Sequence, residues 1–228
     1  MLANISTILF DLDGTLVDSV PDLSAAVNAT LSEIGRAEYP DQQIRHWVGN
    51  GSKMLLARAL AGKFDVELDE HQLKEVLPLF FQHYGENLCT AGKVYDGVLI
   101  ALKKLQTMDI KMACVTNKPI EFVKPVLEAY GLDQFMPIVV GGGSVSQLKP
   151  SAEPLFFACE QLSIDEKNRS QTVLMVGDSS SDIKAAKAAG IQSIAVDYGY
   201  TQGMNLLELG ARAMISNMQE LPELLKAA

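Results

Sequence analysis

Two carboxylates stand two residues apart in the run Ile8-Leu9-Phe10-Asp11-Leu12-Asp13-Gly14-Thr15. The apolar residues before them read as a buried parallel strand, too short for a helix. If strand geometry persists, Asp11 and Asp13 lie on one side of the pleat. Carboxylates that close repel unless a cation or a proton comes between them. A hard divalent cation such as Mg²⁺ suits the pair. Alternatively, one acid is a nucleophile and the other a proton donor. Gly14 allows a tight turn or a close approach to a ligand. An acidic turn after a strand is the plain alternative.

Polar groups recur at later strand ends. Lys111 to Val115 reads as a strand ending at Thr116-Asn117-Lys118-Pro119. Met136 to Val140 is another, followed by a glycine run and then Gln147-Leu148-Lys149-Pro150. Thr172 to Val176 ends at Gly177-Asp178-Ser179-Ser180-Ser181-Asp182. Taken singly, Thr116-Asn117 is a helix cap, Lys149 a surface lysine, and Asp182 a complement to a helix N-terminus. Parallel strands, however, bring all these ends to one edge. A cation between carboxylates, facing a hydroxyl, amides and an ammonium, is what a transferring phosphoryl group needs.

The elements that position these groups follow from periodicity. Ser193 to Val196 and Met214-Ile215 are further strands, and Ser216-x-x-Gln219 reads as a capping box for a last helix. Helices are expected over Val98 to Gln106, Pro119 to Tyr130, Ala152 to Gln161 and Ile183 to Ala189. The fold class is therefore α/β, a Rossmann-like parallel sheet with helices on both faces. Residues 20–88 differ. Leu23, Ala26, Val27, Thr30, Leu31 and Ile34 keep helical spacing, as do Leu73, Val76, Leu77, Phe80, Phe81 and Tyr84. Two more helical segments run over Gln42 to Val48 and Ser52 to Ala61, Gly35 stops the first helix, and Pro78 is expected to kink or split the last. This makes 20–88 a small helical cap inserted into a core of 1–19 and 89–228. Within it, Gly49-Asn50-Gly51-Ser52-Lys53 presents free amides at a helix start, an anion site or an ordinary turn.

The chain has 228 residues, 48% of them apolar, enough for a sizeable core, and a formal net charge of -9. That charge argues against nucleic acid or an anionic membrane as partner. Cys89, Cys114 and Cys159 are far apart and read as reduced thiols of a cytoplasmic protein. Met1-Leu2-Ala3-Asn4 lacks a basic region and a long apolar run, so no signal peptide is expected, and no stretch is long enough to span a membrane. Monomer and homodimer stay open.

The order Asp-x-Asp-Gly-Thr, strand-end Thr, Lys-Pro and Gly-Asp-Ser-x-x-Asp resembles the haloacid dehalogenase-like hydrolase superfamily over essentially the whole chain. The resemblance implies that Asp11 is the nucleophile of an aspartyl-phosphate route and Asp13 the general acid and base. Thr116, with Leu12 and Asn117 beside it, would hold the phosphoryl oxygens, and Lys149 would steady nucleophile and phosphate. Mg²⁺ would be held by Asp11, the Asp13 carbonyl and Asp178, with Asp182 orienting its outer shell. Asp13 points to phosphatases or phosphomutases, since dehalogenases and phosphonatases of the superfamily lack that acid. Trp47-Val48-Gly49-Asn50-Gly51 and Val94-Tyr95-x-Gly97-Val98 resemble the bacterial phosphoglycolate phosphatases, with Asp96 where proline is usual. The implied partner is a small phosphorylated metabolite, 2-phosphoglycolate, whose carboxylate would meet Gly49, Asn50, Gly51 and Lys53. A sugar phosphomutase and a non-catalytic phosphate-binding regulatory module are the alternatives.

Overall fold

The computed structural model describes residue 2 and residues 4–226. The reading of Met1 and Ala3, and the last two residues of the span 89–228, lie outside the described residues. Six parallel strands form the main sheet: β1 Thr7–Phe10, β4 Lys111–Pro119, β5 Ile138–Gly142, β6 Val173–Gly177, β7 Gln192–Val196 and β8 Ala213–Ile215. Their order across the sheet is β5-β4-β1-β6-β7-β8. The chain thus builds outward from β1 to one edge, then returns to β1 and builds toward the other. The carboxyl end of β1, between β4 and β6, is the switch point where open α/β sheets bind ligands.

Burial alternates as a two-sided sheet demands. Ile8 and Phe10 of β1 join Met112, Cys114, Leu174 and Val176 on one face. Leu9 joins Ala113, Val115, Val173 and Met175 on the other. The first face is covered by α5 (Val98–Thr107), α6 (Ile120–Ala129) and α10 (Glu220–Lys226), the second by α7 (Glu153–Gln161) and α9 (Ser180–Ala189). A short turn of helix, α8 (Arg169–Thr172), leads into β6.

Between β1 and α5 lie four helices, α1 (Val20–Glu33), α2 (Asp41–Trp47), α3 (Ser52–Ala61) and α4 (Glu70–Glu86). They bury an apolar core of their own, in which Leu31, Ile44, Leu56, Leu73 and Phe80 are sealed from solvent. Two short strands, β2 (Val17–Asp18) and β3 (Lys93–Val94), pair antiparallel where the chain leaves for these helices and returns. The Asp22 carboxylate takes bonds from the Thr90, Ala91 and Gly92 amides and the Thr90 hydroxyl, joining the outgoing and returning segments.

Several local expectations change. The strand does not persist past Phe10, so Asp11 and Asp13 are not on one side of a pleat and meet different cations. Pro78 does not split α4, which runs unbroken from Glu70 to Glu86. Its ring sits on the exposed side, where water can satisfy the carbonyl it frees, while Leu73, Val76, Phe80 and Tyr84 hold the helix down. β4 continues through Pro119 instead of ending at Val115, with a register shift against β5 between those residues. Ser216 and Gln219 form no capping box. Glu220 accepts from the Ser216 and Asn217 amides, and the Gln219 amide donates to the Asn217 side chain instead of to Ser216.

Candidate active site

Three buried carboxylates converge at the switch point. Asp11 follows β1, Asp178 follows β6, and Asp182 lies in the first turn of α9. One oxygen from each lies within 4.8 Å of the others. Backbone geometry makes this possible. Gly14 has φ +89°, and a Cβ there would fall 2.1 Å from an Asp178 oxygen. A Cβ on Gly177 would fall 2.3 Å from the Asp182 carboxyl carbon. Asp178 is aimed by the Thr15 hydroxyl at 2.8 Å and the Tyr200 amide at 2.7 Å. Asp182 closes a capping box with Ser179 on one oxygen and takes Lys149 on the other, at 2.7 Å. Its expected role as a helix-end complement and its place in the acid cluster are therefore both occupied.

Lys149 is the ammonium amid this charge. It lies 3.0 Å from Asp11 and 2.7 Å from Asp182, and also donates to the Val115 carbonyl. Two hydrogen bonds between the Asn117 side chain and the Lys149 backbone fasten the lysine's loop to the end of β4. Thr116 lines a small cavity beside Asp11 and Asp13, and its hydroxyl accepts from the Lys118 amide. The Leu12 amide turns onto the Asp11 carboxylate at 2.7 Å, while the Leu12 side chain is buried in the core.

Three carboxylates and one ammonium leave the cluster short of positive charge. Burial first, and then Asp182, push the Asp11 carboxyl up to about 7, against the opposing pull of Lys149. Burial and Asp11 likewise raise Asp178 well above the carboxylate range. All the donors are hard oxygens, the set a Mg²⁺ ion takes. Between an unfolded value of about 4 and a folded value near 7, the native metal-free protein binds the extra proton. That stability is complete at acid pH and is lost as pH rises through 7. A bound cation competes with those protons, so Mg²⁺ should raise the melting temperature more near pH 8 than near pH 5. Thermal unfolding with Mg²⁺ and with EDTA at both values is the check. An equal rise at both would mean that the ion is held elsewhere.

The cap loop expectations divide. Gly49 and Gly51 line the cavity, with Gly51 capping α3 with no side chain. Asn50 does not line it. It donates to the Ser181 hydroxyl at 3.0 Å and ties the loop before α3 to the start of α9. Lys53 is displaced altogether. It pairs with Glu70 at 2.9 Å, the two side chains being 53% and 66% exposed. On the first turn of α3 it faces the start of α4 and solvent, away from the acids. Lys53→Ala should leave kcat/KM within about twofold of wild type, as exposed ion pairs contribute little. A tenfold rise in KM would return Lys53 to the site.

Two groups escaped the sequence reading. Lys118, 5% exposed, lies 2.9 and 3.1 Å from the two Asp13 oxygens and donates to the Tyr84 hydroxyl of α4. It lies in the continuation of β4 past Val115, on the same side of the strand as Met112 and Cys114, which the sequence reading ended too early to see. Tyr200 receives the Ser19 and Val20 amides and donates to Asp18, whose carboxylate also holds Arg45 at 3.0 Å. Its signal was Tyr198-Gly199-Tyr200, an aromatic pair around glycine just past β7.

The sequence matches the haloacid dehalogenase-like hydrolase family over residues 8–196, and the chain belongs to that family. The phosphoglycolate phosphatase of Colwellia psychrerythraea is 41% identical, over 94% of each chain. That of Psychrobacter arcticus is 42% identical over 96% of each. A crystal structure of a predicted phosphoglycolate phosphatase from Haemophilus somnus superposes with a TM-score of 0.86 at 32% identity, covering 97% of this chain and 98% of the other.

Proposed function

We propose that the protein is a Mg²⁺-dependent phosphatase that hydrolyses 2-phosphoglycolate to glycolate and phosphate. The observation that carries this reading is the convergence of Asp11, Asp178 and Asp182 on one buried spot beside Lys149. The substrate assignment draws on the relatives' names and on the small cavity that α3 and α4 close over the acids.

Asp11, the Asp13 carbonyl and Asp178 would hold Mg²⁺, with Asp182 behind them. Bound there, the ion neutralises charge on the phosphoryl oxygens. Asp11 is the nucleophile. Its Oδ1 is engaged by the Leu12 amide and Lys149, which leaves Oδ2 to attack. The Oδ2–P bond forms as the P–O bond to glycolate breaks, and Asp13, carrying a proton taken up from solvent, gives it to the departing oxygen. A water then attacks phosphorus, surrenders a proton to Asp13, and releases Asp11 and phosphate. Thr116 and the Asn117 amide steady the phosphoryl oxygens during both steps, and Lys149 holds the charge on the nucleophile.

The cavity between the α1–α4 helices and the acids measures about 40 Å³, room for a few waters at most. An ester the size of phosphoglycolate needs more. Residues 20–88 would therefore swing as a cap about the β2–β3 stem, open to admit substrate and close to exclude water.

Phosphate release from a panel of esters, with Mg²⁺ and with EDTA, tests the reading. The highest kcat/KM is expected for 2-phosphoglycolate, with activity lost in EDTA. A better sugar phosphate, or an isomerised sugar phosphate in place of free phosphate, would overturn the substrate. No release from any ester would leave a binding module.

A further inference from the structure

Within the proposed phosphatase, something must read the far end of the substrate. Lys53 is on the surface with Glu70. Arg45 is held by Asp18, and Arg58 is spent on the Trp47 and Phe64 carbonyls. Lys149 is committed to Asp11 and Asp182. Among the described residues, the one basic residue lining the cavity is Lys118.

Its surroundings are unusual for a structural lysine. The ammonium is buried between the Asp13 carboxylate, which belongs to the core, and the Tyr84 hydroxyl, which belongs to α4 of the cap helices. It also lies 4.7 Å from the centre of the Tyr84 ring. Leu23, Leu55 and Val48 form apolar walls around the same space, so an ammonium there is poorly screened by water. The Gly51-capped start of α3 opens into this cavity too, with amides that no capping side chain covers.

We infer that Lys118 is the specificity-determining cation that binds the carboxylate of the substrate, and that it holds Asp13 in its place until the substrate arrives. The inference rests on the phosphoglycolate reading. One ammonium faces two claimants, the Asp13 carboxylate and the incoming carboxylate. When the substrate takes Lys118, Asp13 is released toward the leaving oxygen. Tyr84 ties that exchange to the cap, because the hydroxyl that orients Lys118 sits on a cap helix. An ester with the same chain but no carboxylate cannot displace Asp13 from Lys118. Selectivity thus arises from assembling the site as well as from affinity.

The test compares 2-phosphoglycolate with 2-hydroxyethyl phosphate, which has a hydroxymethyl group in place of the carboxylate, in wild type, Lys118→Met and Lys118→Arg. Wild type should prefer the carboxylate ester. In Lys118→Met that preference should fall by about 100-fold, since truncating one partner of a buried charge pair has effects of this order. Lys118→Arg should restore part of it. A parallel loss for both esters would make Lys118 a structural residue and overturn the inference. A preference that survives in Lys118→Met overturns the Lys118 assignment alone and leaves the phosphoglycolate reading standing. A wild type that treats the two esters alike overturns both. If Lys118→Met fails to fold, the crystal structure of Asp11→Asn with 2-phosphoglycolate decides. Lys118 Nζ should lie on the substrate carboxylate and away from Asp13. Lys118 still on Asp13, with the substrate carboxylate elsewhere, would overturn it.

Discussion

Asp11→Asn should lower kcat for phosphate release by roughly four orders of magnitude or more, the scale of losing a nucleophile. Asparagine keeps the shape of the side chain but lacks the anionic oxygen that would bond phosphorus. The same change should not weaken the fold. Ionised Asp11 is disfavoured first by burial and then by Asp182. In metal-free protein near pH 8 the neutral amide removes that repulsion, so the variant should melt at or above the wild-type temperature, with an unfolding free energy higher by on the order of 1 kcal/mol. Its response to Mg²⁺ should shrink, because one carboxylate ligand is gone. Phosphate release and thermal unfolding, each with Mg²⁺ and with EDTA, check both halves. A variant that keeps a tenth of wild-type activity would remove Asp11 from the chemistry.

Lys149→Met should have the largest effect on stability. Methionine replaces the ammonium with an apolar tip of similar reach. Asp11 and Asp182 lose their shared cation, and the Val115 carbonyl loses a donor. Removing one member of a buried ion pair typically costs about 3–5 kcal/mol. The cost has a pH signature. Protonation relieves the stranded carboxylates, so the loss should be smallest near pH 5 and grow as pH rises above 7, where the wild-type Asp11 has given up its proton. Mg²⁺ should recover part of it. Urea unfolding at both pH values measures the difference. Equal losses at the two values would mean that the charge cluster is not what Lys149 supports.

The sheet was legible because its strands are short, apolar and capped by acid or glycine, signals that survive without tertiary knowledge. Ile8-Leu9-Phe10 and the run to Val176 lose their hydrophobic pattern where the polar strand ends begin. The convergence of Asp11 with Asp178 follows from topology once both are placed at carboxyl ends of parallel strands. Direction was harder to read than position. Lys53 belongs to the loop that closes the cavity, yet its side chain leaves with Glu70. Lys118 sits in a segment that reads as strand end and helix start, whereas β4 runs on through it and buries its side chain. Asp13 was placed beside Asp11 on the assumption of a continuing strand, but the chain turns at Gly14 and hands Asp13 to a different lysine. Pro78 shows the remaining gap. A local rule forecasts a break, and a well-buried helix face overrides it where the offending ring meets water.

The Asp22 clasp has a mechanical corollary. With its two oxygens holding three amides and a hydroxyl of the returning segment just before β3, the outgoing and incoming connections behave as one post. Neither leg can stretch alone, so the cap swing proposed above would be a rotation about that post and not a slide across the acids. In that proposed motion an arc would return the α3 loop to one seat, the place where Asn50 meets Ser181 and Gln202 meets the Val48 carbonyl.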